Sequence, residues 1–280
     1  MKVTLIQMDI VWEDAAANRQ TAEHLILSAE KSDIYVLPEM WNTGVTAEPQ
    51  GVAEDEDGET LLWMKRMSRE LDAAVVGGVA VRLLDGTYRN RLYFVKPDGS
   101  VDCYDKHHLF TYGGEAKNFV PGEERVTVEW RGLLFRLCIC YDLRFPLWVR
   151  NTDDYDVLIC SASWPAVRTH AWNILTQARA IENQCYVLGV NRIGSDPVCQ
   201  YIGGTTIVDP YGMPTTCPGG ETTVLTKTLD IKRLKSFREK FPVLKETDVV
   251  CRVFSAADSA DGDEGRRPET DSHWPCRKIG

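Results

Sequence analysis

The sequence predicts an α/β fold in which two mixed β-sheets pack face to face with helices on the outside. Three observations carry this expectation. Buried strand-like runs alternate with amphipathic helical runs along most of the chain. Several strand runs come in hairpin-like pairs, so the sheets must contain antiparallel neighbours. Hydrophobic residues fill 44% of the 280 positions, enough for a sizeable core in one large domain or two smaller ones.

Residues 2–9 (KVTLIQMD) form a β-type run. Over 17–32 the spacing of Ala22, Leu25, Ile26 and Ala29 puts apolar side chains on one helical face. Residues 33–39 (DIYVLPE) read as a short buried strand stopped by Pro38. A second amphipathic helix covers 60–71 (TLLWMKRMSREL). Strands follow at 73–83, from 88 onward and at 100–105, with Pro97-Asp98-Gly99 as the hairpin turn between the last two. The polar, Gly-rich segment from Lys106 to Gly122 reads as a loop. Residues 125–140 hold two strands broken at Arg131-Gly132. A buried strand at 155–163 (YDVLICSAS) and a helix at 168–184 come next. Strands at 185–194, 204–212 and 222–230 and a helix at 231–240 complete the pattern. DIYVLPE and DVLICSAS share one form, an Asp, an apolar strand and a loop, which points to two related α/β halves. From about Ser255 the chain is polar and charged. The expected organisation is a domain over 1–254 and a disordered tail over 255–280, unless Trp274 and Cys276 dock it.

The charge balance is 32 basic against 41 acidic residues, formally −9. With no Lys/Arg-rich block, a nucleic-acid-binding surface is not expected. Nine cysteines, an odd number set mostly in apolar runs, point to free thiols in a reducing compartment. The first residues are strand-like rather than signal-like, and no apolar run approaches the ~20 residues of a membrane span. The expectation is a soluble cytoplasmic protein.

The candidate chemistry begins with LCICYDLRFP, residues 137–146. Cysteines at a strand's end are most often core, but they also serve as metal ligands and nucleophiles. Cys138 lies inside the strand and reads as core, as do Cys160 and Cys185. Cys140 stands where the chain turns sharply, the place for a nucleophile whose following backbone N–H groups face a developing oxyanion. Its base could be a histidine: His107 and His108 lie in the loop and His170 opens a helix, whereas His24 and His273 read as solvated. Glu39 and Lys106 each follow a strand directly. Singly they read as a surface Glu and a solvated Lys, but three polar residues placed just after strands suit a site beyond a sheet's end. A zinc module built from Cys103, His107, His108, Cys138 and Cys140 is the distant alternative, without a CxxC pair to support it.

The segments LPEMWNTG, YDKHHLF and CICYDLRFP, in that order, resemble the three signature segments of the nitrilase superfamily, the carbon–nitrogen hydrolases. The similarity extends through ARAIENQCYVLGVNRIG and GTTIVDPYG and covers residues 1 to about 250. The resemblance implies a four-layer αββα sandwich that pairs into homodimers, and no cofactor. It implies a triad of Glu39, Lys106 and Cys140, with Glu115 in GGEAKNFVPG as a second, positioning glutamate and the backbone N–H of Tyr141 on the oxyanion. Tyr-Asp after the cysteine, where true nitrilases commonly carry Trp-Glu, points to the amidase branches. Residues 161–194 further resemble the omega-amidase group, which cleaves the terminal amide of 2-oxoglutaramate or 2-oxosuccinamate. N-carbamoyl and aliphatic amide hydrolases of the same superfamily are the alternative. A carboxylate-bearing substrate calls for a cation, and Arg168, then Arg144, are the candidates unless they form surface salt bridges. Trp164 and Trp41 are candidate pocket walls or packing residues.

Overall fold

The computed structural model describes residues 1–246, so the expected domain end at 254 and the tail with Trp274 and Cys276 lie outside the described residues. The elements in chain order are β1 (Lys2–Gln7), α1 (Ala15–Ser28), β2 (Ile34–Val36), β3 (Glu54–Asp55), α2 (Glu59–Leu71), β4 (Ala74–Arg82), β5 (Tyr88–Val95), β6 (Val101–Asp105), β7 (Thr127–Trp130) and β8 (Leu133–Ile139). They continue with β9 (Val157–Ala162), α3 (Thr169–Glu182), β10 (Tyr186–Asn191), β11 (Ile193–Ser195), β12 (Gln200–Ile202), β13 (Thr206–Val208), β14 (Pro214–Thr216), β15 (Thr223–Thr228) and α4 (Ile231–Lys240).

Two large mixed sheets form the centre. The first has the order β15-β1-β2-β4-β5-β6, with β3 beside β4; the second runs β14-β13-β10-β9-β8-β7. Each has a parallel middle, β1, β2 and β4 in the first and β8, β9 and β10 in the second, and antiparallel flanks. Continuous apolar strands hide a two-residue alternation that divides the core. Along β8, Leu133, Phe135, Leu137 and Ile139 enter the central cluster between the sheets, where they meet Val3, Leu5, Val36, Val76 and Phe94. Cys138 faces the other way, into the cluster shared with Trp172 and Ala180 of α3. On the outer face of the first sheet, Ile6, Tyr35 and Val75 pack against Ala22 and Ile26 of α1 and Met64 and Met67 of α2. The layers are therefore helix, sheet, sheet, helix, and α4 sends Leu234 into the central cluster.

Two sequence expectations change. The run 185–194 is not one strand: β10 ends at Asn191, whose Oδ1 accepts from the N–H groups of Trp164 and Arg192 and whose Nδ2 donates to the carbonyls of Trp164 and Gly203. Gly194, at φ +83°, then turns β11 into a separate ribbon with β12. The loop from Lys106 to Gly122 contains two 3₁₀ turns, Thr111–Gly113 and Glu115–Lys117, and the second carries Glu115.

Cross-links join the sheets at one end. Ser161 Oγ donates to the carbonyl oxygen of Leu37 at 2.9 Å. Ser163 donates its backbone N–H to Glu39 Oε2 at 3.0 Å and its hydroxyl to the Glu39 carbonyl at 3.1 Å. At the same end, the chain after β2 lies directly against β4. A Cβ at Gly78 would stand 3.0 Å from both Glu39 Cα and Met40 N, which are backbone atoms with little freedom to yield. Gly78→Ala is therefore expected to lower stability by about 1–3 kcal/mol, read as an earlier urea midpoint. An unchanged midpoint would mean that the backbone at Glu39 moves freely.

Candidate active site

The sheet topology delivers the polar residues to one edge. β2 and β4 are parallel, β5 reverses direction and β6 restores it, so the chain leaves β2 and β6 at the same end of the first sheet. In the second sheet β8 and β9 are parallel and end together. Glu39, Lys106, Cys140 and Ser163 follow β2, β6, β8 and β9, and the Ser163–Glu39 bonds show that the two sheets meet there. This is the strand-end location at which α/β sheets place their ligands.

The first sheet supplies an ion cluster. Lys106 Nζ lies 2.8 Å from Glu39 Oε1 and 2.9 Å from Glu115 Oε2. All three side chains are buried, between 1% and 6% exposed. Glu115 Oε2 also accepts the Phe110 N–H at 2.6 Å. Asn90 Nδ2 donates to Glu39 Oε1 and to Glu115 Oε1, each at 2.8 Å. Burial pushes the Lys106 ammonium toward the neutral form, but the Glu115 and Glu39 carboxylates outweigh it and hold the group well above the usual lysine range. Lys106 is a fixed cation.

The second sheet supplies the thiol. Cys140 opens a 3₁₀ turn, Cys140–Arg144, with φ +43°, a left-handed conformation that side chains rarely adopt. The turn lifts its Sγ out of the strand to 3.9 Å from the Ser163 carbonyl oxygen. The N–H groups of Cys140 and Tyr141 stand in the first turn, before any carbonyl of the turn can accept them. Burial pushes the Cys140 thiol up, the Glu39 carboxylate pushes it further, and Lys106 opposes both without prevailing.

The turn is anchored by Asp142, which is fully buried. Its carboxylate accepts from the N–H groups of Ile139 and His108, from His108 Nδ1 and from the Tyr104 hydroxyl, at 2.7–3.0 Å. His108 stacks on Phe145 and His107 on Trp148, with centroids 3.6 and 3.7 Å apart. His107 Nδ1 pairs with the Gly122 carbonyl. The histidine pair thus buttresses the turn, and Glu39 is the group electrostatically coupled to the thiol. His24 and His170 are exposed. Of the residues considered for zinc, Cys138 is buried under α3 and Cys103 is exposed on β6. Among the described residues no group of three or more His, Cys, Asp or Glu side chains is arranged to hold a metal ion.

The candidate substrate residues separate into two groups. Arg168 ends a 3₁₀ turn after β9 and lies over the Phe110 ring at 5.1 Å. Arg144 lies over the Trp164 ring at 5.0 Å. Among the described residues neither guanidinium pairs with a carboxylate. Trp164 serves both arginines, because its Nε1 donates to the Arg168 carbonyl at 2.8 Å. Tyr141 packs edge-on between Phe110 and Phe145. Trp41 belongs to a different place: it is fully buried in the outer core, 5.0 Å from Trp63 of α2, so packing describes its surroundings. Asn90, Asp142 and Ser163 did not stand out in the sequence. Asn90 had one signal: it shares the inward row of β5 with Leu92 and Phe94, where a polar side chain needs a reason.

A two-sheet sandwich with this strand-end cluster is the frame of a hydrolase, and residues 2–239 match the carbon-nitrogen hydrolase family, to which the chain belongs. It is 41% identical over 250 residues to the omega-amidase YafV of Yersinia enterocolitica, covering 89% of this chain and 97% of that one. It is 34% identical over 250 residues to the 2-oxoglutaramate amidase of Bacillus subtilis strain 168, covering 87% and 96%. Among solved structures it is similar to XC1258 from Xanthomonas campestris, a CN-hydrolase superfamily protein with an arsenic adduct in its active site. The TM-score is 0.85 and the identity 36%, over 89% of this chain and 97% of that one.

The electrostatics of the thiol make a pH prediction. Replacing Glu39 by Gln removes a negative charge that raises the thiol pKa and leaves the Lys106 cation that lowers it. Iodoacetamide alkylation of Cys140 in Glu39→Gln is therefore expected to rise at lower pH than in the wild type, by about one pH unit or more. Coincident alkylation profiles would disprove this coupling.

Proposed function

We propose that this protein is an amidase of the omega-amidase type, which hydrolyses the terminal amide of 2-oxoglutaramate or 2-oxosuccinamate to a 2-oxo dicarboxylate and ammonia. The observation that carries the chemistry is the buried Lys106 ammonium clamped by Glu39 and Glu115 at the strand-end edge where the Cys140 turn also lies. The substrate is supported by the relatives named above and by the two half-buried arginines without a carboxylate partner among the described residues.

In this reading Glu39 Oε2 takes the thiol proton as Cys140 Sγ attacks the amide carbon. Lys106 has three N–H donors: one serves Glu39 Oε1 and one is shared between the two oxygens of Glu115, at 2.9 and 3.2 Å. The third, together with the Tyr141 N–H, holds the oxyanion. Protonated Glu39 passes its proton to the departing nitrogen, the C–N bond breaks, and ammonia leaves a thioester. Glu39 then takes a proton from water, whose oxygen attacks the thioester; the C–S bond breaks, the proton on Glu39 passes to the departing sulfur to restore the thiol, and the new carboxylic acid leaves as its carboxylate, losing its proton to solvent. A positioned base is worth about 10²–10⁴-fold and one oxyanion donor about 10²–10³-fold. Glu115 keeps Lys106 in place. Arg168, helped by Arg144 on the Trp164 face, takes the substrate carboxylate. The enzyme works in the cytoplasm as a homodimer; seven free cysteines among the described residues support a reducing compartment. No helix among them is long and apolar enough to cross a membrane.

Ammonia release from 2-oxoglutaramate, measured against a panel of neutral amides, nitriles and N-carbamoyl compounds, tests the reading. A preference for a neutral amide or a carbamoyl compound would reject the substrate while keeping the chemistry. Cys140→Ala is expected to lose turnover altogether with an unchanged circular dichroism spectrum, and near-normal activity would sink the mechanism. Arg168→Ala is expected to lower kcat/KM for 2-oxoglutaramate by about 10²-fold, the scale of a lost charged contact, and to spare a neutral amide. An equal loss on both would exclude carboxylate recognition by Arg168.

A further inference from the structure

The ion cluster contains one side chain to which the reaction assigns no role. Asn90 is 1% exposed and lies on β5 opposite Ala80. Its Nδ2 reaches Glu39 Oε1 and Glu115 Oε1, and the same two oxygens accept from Lys106 Nζ at 2.8 and 3.2 Å. Two donors and two acceptors alternate around a closed ring. The Asn90 backbone joins in, because its carbonyl accepts the Lys106 N–H at 2.9 Å. The amide orientation follows from its partners: carboxylate oxygens face it, so the NH₂ side must point to them. Its Oδ1 is buried without a hydrogen-bond partner, so the amide is present for its N–H groups.

We propose that Asn90 is a positioning residue for the hydrolysis: it fixes the separation of Glu39 and Glu115 without adding charge and, with Lys106, occupies Glu39 Oε1 so that Oε2 serves Cys140. This rests on the reading of Cys140 as nucleophile and Glu39 as its base. The remaining surroundings of Glu39 agree with it. Oε2 accepts the Ser163 N–H, from the opposite sheet, the Cys140 thiol lies within hydrogen-bonding reach of the same carboxylate, and that thiol has Cys160 as a further neighbour. The charged or titratable groups around Glu39 are therefore Lys106, Glu115, Cys140 and, beyond the thiol, Cys160. An amide supplies two N–H donors and no charge. Aspartate would add a third carboxylate, and a basic residue a second cation.

The test compares Asn90→Ala and Asn90→Asp with the wild type in the full-length protein. One readout is the pH profile of kcat/KM for ammonia release from 2-oxoglutaramate. The other is the pH profile of Cys140 alkylation by iodoacetamide, followed by mass spectrometry, which needs no substrate. An N–H donor stabilises a charged carboxylate, so its loss in Asn90→Ala is expected to move the acid limb of the profile up by about one pH unit, and the added carboxylate of Asn90→Asp to move it further. kcat is expected to fall at least about tenfold while KM stays within about threefold. The alkylation profile of Asn90→Asp is expected to move to higher pH, because a third carboxylate opposes thiolate formation. Profiles that coincide with the wild type in variants of unchanged melting temperature would overturn the proposal. Should either variant unfold, Asn90→Ser, which keeps one donor, is expected to show an intermediate limb, and a wild-type limb there would equally overturn it. A wild type that releases no ammonia from 2-oxoglutaramate rejects the substrate reading, and the alkylation profiles then decide the role of Asn90 alone.

Discussion

The Lys106 ammonium, buried between two carboxylates at 2.8 and 2.9 Å, is the interaction around which the site is arranged. Each ion taken from water costs several kcal/mol, and attraction repays this only when the remaining lone pairs and protons are also satisfied. Here they largely are. Glu39 accepts from Lys106, Asn90 and Ser163, and Glu115 from Lys106, Asn90 and Phe110. Those donors come from β5, from the chain after β6 and from the chain after β9. The cluster therefore makes strands distant in sequence end at one point.

The sandwich meets that demand by layering. The central cluster holds the two sheets face to face, and the hydrogen bonds of Ser161 and Ser163 cross between them at the reactive edge. Glu39 belongs to one sheet and Cys140 to the other, so their spacing is a property of sheet packing. Close backbone approach sharpens it: glycine at 78 lets the chain after β2 rest on β4. Asp142 does the same for Cys140, binding its turn to the segment that also carries Lys106.

The layers were legible in the sequence because apolar runs and helical faces are local signals, and α1 and α2 lie within a few residues of their expected bounds. The meeting of Glu39, Lys106 and Cys140 was legible because each follows a strand and sits in a segment resembling a known signature. What escaped was nonlocal. Nothing in NQCYVLGVNRIG announces that Asn191 will spend its amide on Trp164 and Gly203 and end the strand. Asn90 sits between two arginines in a strand that looks ordinary until its inward row is seen to face two carboxylates. The reach of Trp41 was misleading for the same reason: closeness to Glu39 in sequence says little when the chain turns between them and the indole enters the opposite face of the sheet.

The left-handed backbone of Cys140 has a consequence for how this protein divides its sequence between folding and chemistry. An L-residue in that conformation costs roughly 1–2 kcal/mol relative to glycine, which adopts it freely. Position 140 is thus a place where the residue best for the backbone differs from the residue the chain carries. Glycine would relax the turn and leave no sulfur. The protein keeps the sulfur and accepts the less stable backbone, so selection for stability alone would tend to replace Cys140 by glycine.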